Sequence, residues 1–159
     1  FPSGQFFING FARPFRRDRN KNGGGVMIFV RDDIPSKEVK INFLPSDIEC
    51  IFIEINIRKT KWLIVGCYHP PSQNDSYFFY NLGKALDSLS NYKKFLLVGD
   101  FNSEDHETEI TNFLNSHEAK NIVKQKTCFK NFLNPSCIDL FITNSPKSFQ
   151  HTHSFIMMH

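Results

Sequence analysis

The 159-residue chain is 40% hydrophobic and carries 18 phenylalanines, which excludes disorder as a description of the whole and allows one domain with a sizeable core. No apolar run approaches the roughly 20 residues that span a bilayer, so no membrane association is expected. The net charge of +3, from 19 basic and 16 acidic residues, is too small by itself to name a partner.

Charge distribution says more than its sum. Arg13, Arg16, Arg17, Arg19 and Lys21 fall within nine residues, opposed only by Asp18. Pro14, Asn20, Asn22 and Gly23 flank or interrupt the cluster and predict a loop. Such a loop would attract phosphates with salt-dependent strength, or would simply be a solvated surface. Gly23-Gly24-Gly25 then leads into the strand-forming run Val26-Met27-Ile28-Phe29-Val30. The triple glycine lacks the Gly-Lys-Ser/Thr of a Walker loop and precedes a strand rather than a helix, so it is not read as a nucleotide cradle.

After a break at Ile34-Pro35-Ser36, the apolar residues Val39, Ile41 and Phe43 alternate with polar ones. Ile48 to Arg58 predicts a long strand with Ile51, Ile53, Ile55 and Ile57 on one face and Cys50, Phe52 and Glu54 on the other. The polar turn at 58–61 returns the chain into the nearly all-apolar Trp62-Leu63-Ile64-Val65-Gly66-Cys67-Tyr68, a hairpin partner buried on both faces. His69-Pro70-Pro71-Ser72 ends that strand, with His69 expected in a surface loop. Asn74 or Asp75 can cap a helix over Tyr77–Ser90, whose Phe78, Phe79, Leu82, Leu86 and Leu89 recur at helical spacing.

Phe95-Leu96-Leu97-Val98 predicts a short buried strand, and Asp105 can cap a second helix with Ile110, Phe113 and Leu114 inward. The last clear strand is Ile138-Asp139-Leu140-Phe141-Ile142-Thr143. Strands therefore outnumber helices. The pattern favours two sheets packed face to face with helices outside, the alternative being one mixed sheet covered on both sides. Cys50, Cys67, Cys128 and Cys137 contain no C-x-x-C pair and demand no disulfide; a reducing compartment and no zinc are expected.

Polar groups recur where these strands begin or end. In Gly99-Asp100-Phe101-Asn102, continued strand geometry would point Asp100 and Asn102 to the same side. A carboxylate there can take a proton from water or hold a cation, and an amide can donate to a developing oxyanion. The same four residues also make a good turn. Tyr68 leaves a buried strand and could be an ordinary rim residue. Asp139, set between Ile138 and Leu140, needs a partner if it points inward.

Four ordered stretches carry a resemblance: Gly24-Gly25-Val26-Met27-Ile28-Phe29-Val30, Tyr68-His69-Pro70-Pro71, Gly99-Asp100-Phe101-Asn102 and Ile138-Asp139-Leu140-Phe141-Ile142-Thr143-Asn144. Together they resemble the endonuclease/exonuclease/phosphatase superfamily, and within it the apurinic/apyrimidinic-type endonuclease domain of non-LTR retrotransposons. The resemblance implies an α+β fold, a four-layer α/β/β/α sandwich, truncated at both ends, with residues 1–159 a partial domain. It implies phosphodiester hydrolysis assisted by Mg²⁺ or Mn²⁺. Asp100 would align or deprotonate water, Asn102 and Tyr68 would contact the phosphate, and Asp139 would orient a histidine. Arg13, Arg16, Arg17, Arg19 and Lys21 would contact the DNA backbone. The implied partners are DNA and a reverse transcriptase domain in the parent protein, with no membrane, a monomeric state and an intracellular, nuclear location.

Departures accompany the matches. Nothing between Phe1 and Asn22 supplies the family's metal-binding Glu, so the metal ligand is unassigned. The terminal Ser-Asp-His is also missing, although His151 and His153 lie in that region. The chain is therefore read as an internal fragment or degenerate copy with activity reduced by several orders of magnitude. The competing readings are a non-catalytic nucleic-acid-binding module of the same fold and a related phosphoesterase acting on lipids or small molecules.

Overall fold

The computed structural model describes residues 6–20, 23–104 and 107–149. Lys21, Asp105, His151 and His153 lie outside the described residues.

A six-stranded sheet forms the frame. In spatial order it runs β3 (Ser36–Glu38), β4 (Glu49–Ile57), β5 (Thr60–Tyr68), β6 (Phe95–Asp100), β8 (Asp139–Thr143) and β7 (Lys120–Asn121). β5 and β6 are parallel, joined by the crossover helix α1 (Asp75–Ser88); the other neighbours are antiparallel. Alternation along β4 sorts its side chains as the sequence predicts. Ile51, Ile53 and Ile55 join Val30 and Trp62 in one buried cluster. Cys50 and Phe52 join Leu63, Val65 and Leu97 in another, beneath α1 and α2 (Thr108–Ser116). Ile57, next to the turn, stays exposed. Arg58 and Lys59 both take positive φ, 48° and 65°, the backbone of a two-residue hairpin turn.

Asn74 caps α1 through its side chain, which accepts from the Tyr77 backbone N–H at 2.9 Å. α2 has Glu107 at its N-cap without a side-chain cap bond, and buries Ile110 and Phe113 while Leu114 is half-buried. β3 stops at Glu38 rather than continuing through Phe43. Beyond it only the Val39 N–H still pairs, with Phe52 O at 2.8 Å, before a turn closes from Leu44 N–H to Ile41 O.

The expected basic loop is instead a strand. β1 (Phe15–Asn20) pairs antiparallel with β2 (Gly23–Ile28), whose first half is the triple glycine. Gly25 has φ 121°, and a Cβ there would lie 2.2 Å from Arg17 O, so only glycine lets a partner strand approach this closely. The hairpin lies on the isoleucine face of the large sheet, with Phe15, Val26 and Ile28 packed against that cluster. The described residues thus form three layers: helices, six-stranded sheet and hairpin. They are sheet-dominated α+β, two sheets face to face as expected.

Cys50 and Cys67 are free thiols directly opposite one another in β4 and β5, 3.4 Å apart, each 3% exposed. Burial pushes the Cys67 thiol well above its usual range, so the pair packs as small apolar groups.

Candidate active site

Strand register gathers the polar residues. Across β4, β5, β6 and β8, the residues Glu49, Tyr68, Asp100 and Asp139 are successive Cα partners. Residues in register share a face, and here it is the face that carries the β1–β2 hairpin, because Arg19 of β1 reaches two of them. Its Nε donates to Glu49 Oε1 at 2.6 Å, and its guanidinium lies 4.5 Å from the Tyr68 ring centroid. The hydrogen bond from Arg19 to Glu49 holds the guanidinium above its ordinary pKa. Tyr68, Asp100 and Asp139, well separated in sequence, therefore stand side by side at one sheet end.

Asn102 reaches this mouth by a route that strand periodicity does not predict. β6 ends at Asp100, and Asn102 takes the left-handed conformation with φ 48°. The Asp100 carboxylate accepts from the Asn102 backbone N–H at 2.9 Å, closing an Asx turn. The Asn102 side-chain amide donates to His69 O at 2.8 Å. A local turn, not the pleat, brings the two residues together.

Gly99 makes the corner. A Cβ there would stand 1.8 Å from Cys67 O, so β5 and β6 can lie together only with glycine in place. His69, expected on the surface, is 1% exposed instead. Its Nδ1 lies 2.8 Å from Phe101 O and its Nε2 3.2 Å from Gln73 O, while the ring packs on Phe78 with centroids 4.4 Å apart. The prolines that follow turn the chain inward beneath the mouth, which makes His69 a pin between the ends of β5 and β6.

The basic strand divides by alternation. Phe15, Arg17 and Arg19 face the large sheet, and Arg16 and Asp18 face away. Arg17 donates to Cys50 O at 3.2 Å and Ser46 O at 2.9 Å. Arg16 pairs bidentately with Asp18 at 3.1 and 2.6 Å. Arg13 is exposed.

Glu49 escapes a reading of the sequence because an acid beginning an apolar strand looks like a solvated end. The signal was available in the hairpin: counting back from Ile57 opposite Thr60 puts Glu49 opposite Tyr68. The turn between Cys128 and Ser136 exposes Phe132 at 86% and Leu133 at 98%. Its base is tied to the site, since Thr127 Oγ1 accepts from the backbone N–H of Ile138 and Asp139 at 3.1 and 3.0 Å.

Face-to-face sheets, helices over the larger one and a polar mouth built on strand ends define the endonuclease/exonuclease/phosphatase superfamily fold. Residues 62–158 match the family described as endonuclease-reverse transcriptase, and the chain belongs to that family. Among solved structures, the endonuclease domain of TRAS1, a telomere-specific non-LTR retrotransposon, is similar with a TM-score of 0.68 and 13% identity over 85% of this chain and 65% of that one. A mannosyl-6-phosphatase of Bacteroides thetaiotaomicron gives 0.64 and 14%, over 86% and 63%. The human Nocturnin catalytic domain gives 0.59 and 12%, over 85% and 61%. Identities this low establish the fold alone, and the chain spans under two thirds of each of those structures. The curated proteins contain no match. No helix among the described residues is long and apolar enough to cross a membrane.

Proposed function

We propose that this chain is DNA-cleaving machinery of a retrotransposon, hydrolysing a phosphodiester with the help of Mg²⁺ or Mn²⁺, with activity several orders of magnitude below that of a site holding the family's metal-binding Glu and terminal histidine. The observation that carries the reading is the register of Tyr68, Asp100 and Asp139 on three neighbouring strands, with Asn102 turned back onto Asp100.

Among the described residues no three His, Cys, Asp or Glu side chains cluster as a metal cage. Mg²⁺ is commonly held by one or two carboxylates together with substrate phosphate oxygens, a demand that Asp100 and Asp139 fit. The cation would neutralise the phosphate and the leaving oxygen. Asp100 aligns the attacking water and takes its proton. The second amide hydrogen of Asn102, not engaged by His69 O, donates to a phosphate oxygen as charge grows there. Tyr68, its ring steadied by Arg19, offers its hydroxyl to the same phosphate. By the family resemblance Asp139 would orient a terminal histidine, which no described residue after β8 supplies. Arg13, Arg16, Arg17, Arg19 and Lys21 supply positive potential along the DNA backbone. A monomer acting in the nucleus beside a reverse transcriptase domain completes the reading.

The test is nicking of supercoiled plasmid with Mg²⁺ or Mn²⁺, with phosphorylated sugars as a parallel substrate. Asp100→Ala and Asn102→Ala are each expected to lower nicking by about 10²–10⁴-fold. Nicking unchanged in both variants overturns these roles, and turnover of the sugar phosphates alone redirects the reading to a phosphatase.

A further inference from the structure

Away from the mouth's polar groups, the fold sets two thiols face to face. Cys50 of β4 and Cys67 of β5 are Cα partners with Sγ atoms 3.4 Å apart, and both are free. Their place in the ladder matters. In β4 the even-numbered positions bond away from β5: Asn56 N–H donates to Pro35 O, Val39 N–H to Phe52 O, and the Arg17 guanidinium to Cys50 O. In β5 the Leu63 N–H likewise turns outward, to Lys94 O. Cys50 and Cys67 are therefore a non-hydrogen-bonded pair, the kind whose Cα atoms approach to about 4.5 Å. That separation falls within the range of about 4.4–6.8 Å that a disulfide spans.

Both backbones are also held from outside the pair. Arg17 fixes Cys50 O at 3.2 Å, and Cys67 stands opposite Gly99, where no side chain separates β5 from β6. Thiols held this way lose little further freedom when they join, which raises their effective concentration. Cys128 is placed differently, facing Ser136 across its turn rather than Cys137.

We infer that Cys50 and Cys67 form a reversible modification site, closing to a cross-strand disulfide by exchange with a small disulfide oxidant, oxidised glutathione. One cysteine thiolate attacks a glutathione sulfur, the glutathione S–S bond breaks, and one glutathione leaves as a thiolate that takes up the released proton. The second cysteine thiolate then attacks the protein sulfur of the mixed disulfide and expels the second glutathione in the same way. Two protein thiols are oxidised to one disulfide, and one glutathione disulfide is reduced to two thiols. Each cysteine is 3% exposed and burial raises the Cys67 thiol, so the exchange proceeds through openings of this hairpin end. Those openings set its rate and not its end point. The next pair outward is Glu49 and Tyr68, so the closed bond locks the strand register beside the mouth. None of this depends on whether the chain cleaves DNA.

The experiment equilibrates the full chain without air in reduced and oxidised glutathione at a series of ratios, quenches with acid, alkylates the free thiols and maps the peptides. Trypsin cuts at Arg58, Lys59 and Lys61, so a Cys50–Cys67 link joins two peptides that are otherwise separate. The glutathione ratio at half-closure gives the effective concentration of the pair, and the same series in urea gives the value for the unfolded chain. A cross-link that fits the native strands stabilises the fold by constraining the unfolded chain. By linkage, the folded chain is expected to show an effective concentration at least tenfold above the unfolded one. A smaller ratio overturns the inference, because the native strands then resist the bond and the thiols only pack. Preferential linkage of Cys50 or Cys67 to Cys128 or Cys137 overturns it too. The thermal midpoint of the closed chain should lie above that of the reduced chain, and a fall on closure rejects the site independently of the exchange chemistry.

Discussion

Asn102 combines a structural demand and a chemical one in one side chain. Its φ of 48° is a conformation that residues with a Cβ avoid, and asparagine tolerates it better than most. The two demands can be separated. Asn102→Gly keeps the backbone accessible and removes the amide together with its bond to His69 O, so nicking should fall while stability drops by no more than that one hydrogen bond, about 0.5–1.5 kcal/mol. Asn102→Val should lose both, with a further penalty of about 1–2 kcal/mol for a branched residue in the left-handed region. Gly99 is the more brittle neighbour, because a methyl group there meets Cys67 O at 1.8 Å and must push β5 from β6. Gly99→Ala is therefore expected to destabilise by about 1–3 kcal/mol and to displace Asp100 from Tyr68. A variant with unchanged midpoint and nicking would show that this corner is looser than the contact implies.

At the scale of elements, one polar cluster ties the central hairpin to the connection between α1 and β6. The Tyr92 hydroxyl donates to Glu54 Oε2 at 2.6 Å, and Lys37 and Lys61 flank the same carboxylate at 3.4 and 3.6 Å. Burial, then the hydrogen bond to Glu54 and that carboxylate's charge, pushes Tyr92 up to about 12. The Tyr92 hydrogen bond, aided by Lys37 and Lys61 against desolvation, lowers Glu54 from 4.5. A raised tyrosine value stabilises the fold fully below the unfolded value of about 10 and is lost as pH climbs toward 12. A lowered carboxylate value stabilises above 4.5 and is lost as pH falls through the folded value. Denaturant midpoints measured against pH should thus decline at both ends. Tyr92→Phe should flatten the alkaline decline and soften the acid one, and an alkaline limb identical to wild type would refute the coupling. Much of this layer was legible in the sequence. The isoleucines of β4 alternate because one face is buried under the hairpin, and the capped helix α1 shows its apolar stripe. Of the β1–β2 hairpin only the Val26-Met27-Ile28 half of β2 was legible from β-propensity; β1 was hidden, because its inward positions after Phe15 are arginines and it pairs with the triple glycine, so no hydrophobic period marks it. His69 was hidden for the opposite reason: proline neighbours signal a surface loop, and only tertiary packing turns that loop inward.

For the whole molecule, the question is how a net charge of only +3 could hold DNA. The basic strand offers less free charge than its composition implies. Arg17 is spent on the carbonyls of Ser46 and Cys50, Arg19 on Glu49 and Tyr68, and Arg16 on Asp18. Each phosphate contact steepens the salt dependence of binding by about 0.9 in the log–log slope, so a short run of arginines with few free guanidinium faces predicts a shallow slope. Arg17 and Arg13 should then part company. Arg17→Ala leaves carbonyls without their donor and is expected to cost about 1–3 kcal/mol of stability, with DNA affinity following the fold. Arg13→Ala, at an exposed position, should leave the denaturation midpoint unmoved, weaken binding evenly across DNA sequences and reduce the salt slope by about 1. Asp18→Asn should act in the other direction, removing the carboxylate that pairs with Arg16 and steepening the slope by up to about 0.9 as that guanidinium takes up a phosphate. Filter binding across a salt series checks all three. An Arg17→Ala variant that keeps full stability yet loses the slope would mean that its carbonyl bonds are dispensable and that this arginine faces the phosphates.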